Sequence, residues 1–183
     1  VHGGEDALRK IGAKAKEHGI LMSLHAPYFI SLSGEDPEKR LKSVEYIQKS
    51  LWAAELLGAD TIVIHSGSAS KISRTEALEL AKDTLAKTLE AVGDTSIHLG
   101  LETMGKVNQL GTLSEVLSLC ELDERLIPCI DFGHLNARDR GILKTFEDFE
   151  AIFNEIENKL GLSRLREFHS HFSKIEYTTG GEK

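Results

Sequence analysis

The sequence predicts an α/β fold, namely a TIM (β/α)8 barrel of which this chain supplies about five consecutive βα units. Short apolar runs rich in β-branched residues alternate with longer segments of helical period, as expected of βα units around a parallel sheet. Corresponding points on successive runs lie 40, 37, 29 and 38 residues apart, at His25, His65, Glu102, Asp131 and His169. This spacing suits a barrel or an open doubly wound sheet. Since a complete barrel takes about 250 residues, the 183 residues are expected to form the middle of a barrel, as a single domain over residues 1–183.

The apolar runs are the predicted strands, and the segments between them are the predicted helices. The strands are Ile20–His25, Thr61–His65, Ile97–Glu102, Ile127–Asp131 and Leu165–His171. The strongest helix signal is Pro37–Leu57, with an apolar stripe at Leu41, Val44, Ile47, Leu51 and Ala54. Asp36 is a typical N-cap, and Pro37 suits the first helical position. This helix should therefore pack one side against the sheet.

Other helix ends carry their own signals. Ser73–Glu76 and Thr112–Glu115 fit the capping box, in which a hydroxyl and a carboxylate accept hydrogen bonds from free backbone donors. Thr145–Asp148 is a weaker form of the same pattern. Helix ends are predicted at four glycines, Gly19, Gly58, Gly93 and Gly161, because a left-handed C-cap position favours glycine.

The composition is that of a globular protein, with 40% hydrophobic and 28% charged residues. No apolar run approaches the roughly 20 residues of a membrane span, so no membrane partner is expected. Cys120 and Cys129 are too few for a disulfide framework, and we expect a reduced, cytoplasmic protein. The formal net charge of −7, taken alone, argues against a nucleic-acid partner, because phosphate binding relies on clustered Lys and Arg.

Every predicted strand ends in residues that can bind a metal ion. They are His25, His65, Glu102, Asp131 with His134, and His169 with His171. In a parallel barrel the carboxyl ends of the strands converge on one rim, so these side chains should face a common centre. Burying such groups unpaired costs several kcal/mol. The sequence therefore predicts metal binding at this rim.

The types of ligand narrow the choice of ion and reaction. Imidazoles and carboxylates without a thiolate suit Zn²⁺, Mn²⁺ or Fe²⁺ better than the all-oxygen sites of Mg²⁺ or Ca²⁺. At least six ligands are available, which exceeds the need of one ion, and Glu102 or Asp131 could bridge two. Clusters of divalent ions typically hydrolyse phosphoesters, by activating water and by holding the phosphate and leaving oxygens.

Five motifs follow one another along nearly the whole chain: His25-Ala-Pro-Tyr-Phe-Ile, His65-Ser-Gly-Ser, Leu101-Glu-Thr-Met-Gly-Lys-Val-Asn-Gln-Leu-Gly, Cys129-Ile-Asp-Phe-Gly-His and Leu165-Arg-Glu-Phe-His. In this order they resemble the motifs of the endonuclease IV family of apurinic/apyrimidinic endonucleases, and most closely its archaeal members. The resemblance implies a TIM barrel with three zinc ions that acts on double-stranded DNA at abasic sites. It also implies a monomer when the protein is full length.

The same resemblance implies roles for individual residues. His25 and His65 would hold one zinc ion, and Glu102, on which catalysis should depend, would bridge to a second. Asp131 and a strand-end histidine, by preference His169 with His171 as the other candidate, would complete the second site. His134 would belong to the third. Tyr28 and Phe29 would lie on a loop that wedges into DNA at the missing base, with ordinary loop packing as the alternative for both.

The sequence also departs from the family pattern. His65-Ser-Gly stands in place of His-Pro-Gly, and Asp131-Phe-Gly-His in place of the Asp-Thr-Cys-His of many bacterial members. His169-Ser-His-Phe-Ser-Lys lacks an Asn-Asp pair and has a second histidine. The Asp-x-His of the third zinc site is not evident, although Glu182 lies near its place. The family's first two strands and its last strand, which carries a metal-bridging Glu, are missing, so the site is expected to be incomplete.

Three hypotheses follow for the function. The favoured one is a metal-dependent endonuclease that hydrolyses the DNA backbone 5′ to an abasic site. The runner-up is a sugar isomerase or epimerase on the related xylose isomerase-like barrel, whose one-metal site would leave His25, His65 and His134 unused. The third is a non-catalytic barrel module. Three bound Zn²⁺ ions would reverse the charge of the binding face locally, so the net charge of −7 does not exclude a DNA partner.

Overall fold

The protein forms a five-stranded parallel sheet with helices between the strands, as shown by a computed structural model that describes residues 4–183. The helices are α1 (Gly4–Glu17), α2 (Pro37–Leu57), α3 (Arg74–Val92), α4 (Leu113–Cys120), α5 (Phe132–Arg138) and α6 (Phe146–Glu167). The strands are β1 (Ser23–His25), β2 (Thr61–His65), β3 (His98–Glu102), β4 (Leu126–Asp131) and β5 (His169–His171), followed by the short strands β6 (Tyr177–Thr178) and β7 (Gly181–Glu182).

The sheet order follows the chain, β1-β2-β3-β4-β5, and all four pairings are parallel. Strands β6 and β7 form a separate antiparallel pair. Sequential parallel strands with intervening helices are the arrangement of a TIM barrel. The predicted fold class, a partial barrel of about five βα units, is therefore confirmed.

Three of the five predicted strands, β2, β3 and β4, match the structure to within one residue at each end. Strand β1 begins at Ser23 rather than at Ile20, because its pairing with β2 begins where Ser23 lies opposite Thr61. Ile20 and Leu21 are exposed. The apolar character of these two residues therefore does not reflect a place in the sheet.

The prediction of a strand from Leu165 was wrong for residues 165–168. Gly161 ends the first part of α6 with a φ of 85°, as predicted, but the chain then continues as helix to Glu167. The Arg164 guanidinium holds this second part by donating hydrogen bonds to the carbonyl oxygens of Cys120, Asp123 and Leu126. Strand β5 is consequently only three residues long and begins at His169.

The predicted helix starts are confirmed at their caps. Asp36 caps α2 by accepting a hydrogen bond from the Glu38 N–H, and Ser73 caps α3 in the same way. Thr112 and Glu115 form a complete capping box at α4. At α6 the Asp148 carboxylate accepts from the backbone N–H groups of Lys144 and Thr145. The capping residues in the sequence therefore determine where α2, α3, α4 and α6 begin.

Alternation along the strands assigns one face of the sheet to the core and the other to the site. Ile62 and Ile64 of β2 and Leu99 and Leu101 of β3 lie in the main hydrophobic cluster with residues of α2, α3 and α4. Since successive side chains on a strand point to opposite faces, His65 and Glu102 project to the other face. The packing of the helices thus fixes the direction in which the site residues point.

Helices α1 and α2 approach each other closely at Gly12. A Cβ atom at this position would lie 2.7 Å from the carbonyl carbon of Leu57, which is closer than packed atoms tolerate. Helix propensity favours Ala over Gly by about 1 kcal/mol, but overpacking typically costs about 1–3 kcal/mol. We expect Gly12→Ala to lower the free energy of unfolding in urea by about 1 kcal/mol. Ala13→Gly, at an exposed neighbour, measures the propensity contribution alone, and a more stable Gly12→Ala variant would contradict the close approach.

Among residues 4–183, no helix is long and apolar enough to cross a membrane.

Candidate metal centre

The strand-end side chains predicted to bind metal lie together at the carboxyl edge of the sheet. His65 is the register partner of Glu102 across β2 and β3, and Asp131 is the partner of His171 across β4 and β5. His25 ends β1, next to β2. The parallel register alone therefore brings residues from five strands to one edge.

Glu102 is the centre of this arrangement, and its side chain is only 3% exposed. Its Oε2 atom lies 3.1 Å from His25 Nε2 and 2.9 Å from His65 Nε2. Ligand atoms of these three residues all lie within 4.8 Å of one another. One carboxylate oxygen and two imidazole nitrogens thus form a first group that could hold a metal ion.

The other oxygen of Glu102 belongs to a second group. Oε1 lies 2.9 Å from His171 Nδ1 and 3.5 Å from His134 Nδ1. Asp131 Oδ2 lies 3.7 Å from the same nitrogen of His171. Glu102, Asp131 and His171 offer ligand atoms within 4.8 Å of one another. The two oxygens of one buried carboxylate therefore face two separate sets of ligands.

The histidines determine the charge state of Glu102. Burial alone would raise the pKa of this carboxyl, but hydrogen bonds from His25, His65 and His171 hold it well below its usual range. The hydrogen bond to Glu102 in turn raises the pKa of His25, against the opposing effect of burial. Glu102 is therefore an anion at neutral pH, and this charge favours a cation at either oxygen.

Backbone carbonyls fix the orientation of two of the rings. His25 Nδ1 lies 2.8 Å from the Ala26 carbonyl oxygen, and His134 Nδ1 lies 2.9 Å from that of Thr103. Since a carbonyl oxygen only accepts, Nδ1 is the donor in both rings. Nε2 of His25 is then directed at Glu102. Metal-binding histidines commonly have such partners, which orient the ring.

His134 also contacts a residue from the end of the chain. Its Nε2 atom lies 3.7 Å from Glu182 Oε2 on β7. Gly105 allows this approach, because a Cβ there would lie 2.7 Å from Glu182 Cβ and 3.1 Å from the His134 ring. The structure thus brings Glu182, noted in the sequence for its position alone, to the ring that the resemblance assigns to a third ion.

His169 does not occupy the position that the resemblance favours for it. Its register partner is Cys129, whereas the partner of His171 is Asp131. The ligand atoms of His169 group with those of Cys129 and His171. Because residues 169 and 171 share a face and lie two residues apart along β5, His171 is the one nearer the carboxyl edge. The structure therefore places His171, rather than His169, beside Glu102 and Asp131.

Cys129 was not considered as a site residue from the sequence. Its thiol is buried, and burial together with the charges of Glu102 and Asp131 raises its pKa far above the usual range. Burial and the neighbouring His171 lower the pKa of His169. The period of two along β4 could have identified Cys129, because it must face the same side as Asp131.

The two aromatic residues predicted to contact DNA lie on the loop after β1. Tyr28 is 82% exposed and Phe29 is 54% exposed. The Phe29 ring packs edge-on against Tyr46, with ring centroids 4.8 Å apart, and Tyr28 lies against Phe29. Tyr28 is therefore largely open to solvent three residues after His25, while Phe29 is partly used in packing.

Two arginines hold the loop that follows Glu102, and sequence reasoning did not identify either. The buried Arg138 guanidinium donates to the carbonyl oxygens of Met104 and Lys106, and to those of Val107 and Gln109, at 2.8–3.2 Å. Arg74 donates to the last two carbonyls as well. Because Glu102 immediately precedes this loop, the arginines help to fix the rim around it.

Arg74 is itself held by Glu115 of the α4 capping box. Its guanidinium makes two hydrogen bonds to the carboxylate, of 2.7 and 2.6 Å. Burial alone would raise the pKa of Glu115, but Arg74 and the backbone N–H groups of Gly111 and Thr112 hold it below its usual value. The Glu115 carboxylate therefore caps α4 and also forms the ion pair that holds Arg74 against the loop.

Comparison with known proteins agrees with this architecture. A family model described as the xylose isomerase-like TIM barrel matches residues 2–183. The chain belongs to this family. An uncharacterised protein of Methanocaldococcus jannaschii is 34% identical over 174 residues, which cover 93% of this chain and 63% of that protein. A probable endonuclease 4 of Acholeplasma laidlawii is 30% identical over 187 residues, with 90% and 64% covered.

Two solved structures are similar to this chain. Endonuclease IV from Thermus thermophilus is 27% identical, with a TM-score of 0.66, and the match covers 90% of this chain and 57% of that one. A D-tagatose 3-epimerase-like protein has a TM-score of 0.71 at 19% identity, covering 92% of this chain and 76% of the other. The second likeness shows the fold alone. The chain spans a little under two thirds of the length of the curated relatives it matches.

Proposed function

We propose that this protein is a zinc-dependent phosphodiesterase that cleaves DNA 5′ to an abasic site. The observation that carries the proposal is the division of Glu102 between two ligand groups, with Oε2 facing His25 and His65 and Oε1 facing His171. A carboxylate placed in this way is suited to bridge two ions. The similarity to probable endonuclease 4 proteins supports the same interpretation.

The donor set fits zinc. Imidazole nitrogens and carboxylate oxygens are ordinary zinc ligands, whereas sites for Mg²⁺ or Ca²⁺ use oxygen almost throughout. The first ion would be held by His25, His65 and Glu102, and the second by Glu102 with Asp131 and His171. His134, with Glu182 beside it, would contribute to a third. Zinc bound here supplies a water of lowered pKa and positive charge for the phosphate oxygens.

The residues of this chain perform the remaining tasks. In the metal-free protein, hydrogen bonds from three histidines lower the pKa of Glu102 and keep it ionised, so the site already carries negative charge when a cation arrives. The Ala26 and Thr103 carbonyls hold the His25 and His134 rings in place. Groups held in this way need little reorganisation when the substrate arrives.

Tyr28 is the residue proposed to contact the damaged DNA. This residue is 82% exposed on the loop that follows His25. An aromatic ring can occupy the gap left by a missing base because it stacks on the neighbouring bases. Phe29, which rests on Tyr46, would support the position of Tyr28 and reach the DNA with its exposed edge.

The net charge of −7 is compatible with this partner. Part of that charge belongs to Glu102, Asp131 and Glu182, which lie in the site. Three Zn²⁺ ions would carry six positive charges into the same place, so the face that meets DNA would be locally positive. DNA binding should therefore depend on metal loading more than on lysines and arginines.

A sugar isomerase or epimerase is the alternative function, since proteins of that class share the fold. A one-metal site would use Glu102, Asp131 and one histidine. It would leave His25 and His65 without a function, although both lie within 3.1 Å of the Glu102 carboxylate. The number of metal ions per chain separates the two functions, because one ion favours the isomerase and three favour the nuclease.

Incision of a defined duplex tests the proposal. The full-length protein, purified and loaded with zinc, is given a duplex with one abasic analogue and the same duplex without it. We expect one cut, 5′ to the analogue, that leaves a 3′-hydroxyl which a polymerase can extend. Tyr28→Ala should weaken binding to the abasic duplex by about 1–3 kcal/mol and leave zinc content unchanged.

Two outcomes would contradict the proposal. One is the absence of incision by protein that contains its full complement of zinc. The other is equal cutting of the intact duplex, which would show a nuclease without damage recognition. A chain that holds one ion and interconverts sugars would establish the alternative.

A further inference from the structure

A second group of metal-binding side chains lies next to the proposed zinc positions, and it contains sulfur. Cys129, His169 and His171 offer ligand atoms that all lie within 4.8 Å of one another. Cys129 Sγ lies 4.0 Å from His171 Nε2. The register explains the grouping, because Cys129 is the partner of His169 across β4 and β5, and His171 is two residues further along the same face.

The separations are close to those of ligands on one ion. Zinc binds sulfur at about 2.3 Å and imidazole nitrogen at about 2.0–2.1 Å. Two such ligands in a tetrahedral site therefore lie about 3.6 Å apart. Rotamer adjustments of His169 and His171, neither of which is fully buried, can close the remaining distance.

His171 takes part in both groups through different ring nitrogens. Its Nδ1 atom faces Glu102 and Asp131, at 2.9 and 3.7 Å, whereas its Nε2 atom faces Cys129. Because a neutral imidazole has one free lone pair, the ring can bind an ion through Nδ1 or through Nε2, while the other nitrogen keeps its proton.

We propose that Cys129, His169 and His171 form a binding site for a thiophilic cation, distinct from the positions held by Glu102. A thiolate with two imidazoles selects soft or borderline ions such as Zn²⁺, Cd²⁺ and Cu⁺ over Mn²⁺ and Mg²⁺. Binding displaces the thiol proton. An ion at this site would also fix the His171 ring, because its Nε2 atom would be engaged while Nδ1 remains directed at Glu102.

Cobalt and cadmium report directly on the sulfur ligand. Co²⁺ titrated into the metal-free, reduced chain should produce a thiolate-to-cobalt charge-transfer band in the near ultraviolet. Cys129→Ser should abolish that band, and Cys120→Ser should keep it, since Cys120 is the other buried free cysteine and lies on α4. His169→Asn should weaken the cobalt affinity read from the band by at least about tenfold.

The outcome is independent of the proposed function. Glu102→Gln should keep the charge-transfer band, because Glu102 does not belong to the sulfur site. Should Cys129→Ser fail to fold, ¹¹³Cd resonances of the unmodified chain decide, since a sulfur ligand shifts the cadmium signal strongly downfield. A saturated cobalt titration without the band, or a band that survives Cys129→Ser and disappears in Cys120→Ser, would overturn the proposal. A protein that shows the band but does not cut DNA would overturn only the nuclease function.

Discussion

Glu102→Gln is expected to weaken zinc binding, and with it zinc-dependent incision, by at least about 100-fold, since even residues that only orient a ligand typically cost 10–100-fold. The side chain keeps its shape but loses the charge that both ligand groups share, and its amide turns a donor towards one of them. Saturating zinc should stabilise the unmodified protein by about 2.7 kcal/mol at 100 times the dissociation constant. Thermal unfolding with and without zinc should show that most of this stabilisation is lost in the variant.

The control for this variant is Glu90→Gln on the exposed side of α3. It makes the same change of charge and atoms at a distance from the site, so zinc binding and incision should match the unmodified protein. If Glu102→Gln bound zinc with unchanged affinity, or incised at the full rate, the Glu102 carboxylate would not be a zinc ligand shared by the two groups.

Arg138→Met is expected to cause the largest loss of stability, about 3 kcal/mol in the free energy of unfolding. The guanidinium donates to four backbone carbonyls of the loop after β3, including those of Met104 and Lys106. Methionine fills a similar volume but donates nothing, and each buried acceptor left without a partner costs about 1–3 kcal/mol. Arg74 still reaches Val107 and Gln109, which limits the loss. Urea unfolding of the metal-free protein measures it without interference from zinc.

Two further variants show whether the effect belongs to the loop. Arg138→Lys retains one cationic donor. Its free energy of unfolding should lie between that of the unmodified protein and that of Arg138→Met. Arg166→Met, at an exposed position of α6, should change the free energy of unfolding by less than about 0.5 kcal/mol. If Arg138→Met cost no more than this control, the carbonyl contacts would have no role in stability.

Most of the fold could be predicted from the sequence, because the residues that mark helix starts and buried strands lie close together in the chain. Helix starts depend on caps a few residues long, and the caps at Asp36, Ser73 and Thr112 are present in the structure. The buried strands were equally clear. The error at Leu165 has a tertiary cause, because Arg164 holds that segment to the loop between α4 and β4. The local sequence Leu165-Arg-Glu-Phe does not reveal this long-range contact.

Less of the site could be predicted from the sequence. The gathering of ligands at one edge follows from the rule that parallel strands share a direction, but the roles of His169 and His171 depend on register. The strand register shows which of the two histidines lies beside Asp131, because Asp131 pairs with His171. The contacts of Arg138 lie about thirty residues away in the chain, and those of Cys129 about forty. Such long-range contacts leave no pattern in a single sequence.

The position of Glu102 between two ligand groups would also couple the uptake of the two proposed ions. A cation bound at Oε2 would fix the plane of the Glu102 carboxylate and so the direction of Oε1, which would lower the entropic cost of binding a second ion there. By thermodynamic linkage the second ion must strengthen the first to the same degree. Uptake would then be cooperative at low occupancy, and zinc would be gained or lost in sets rather than one ion at a time.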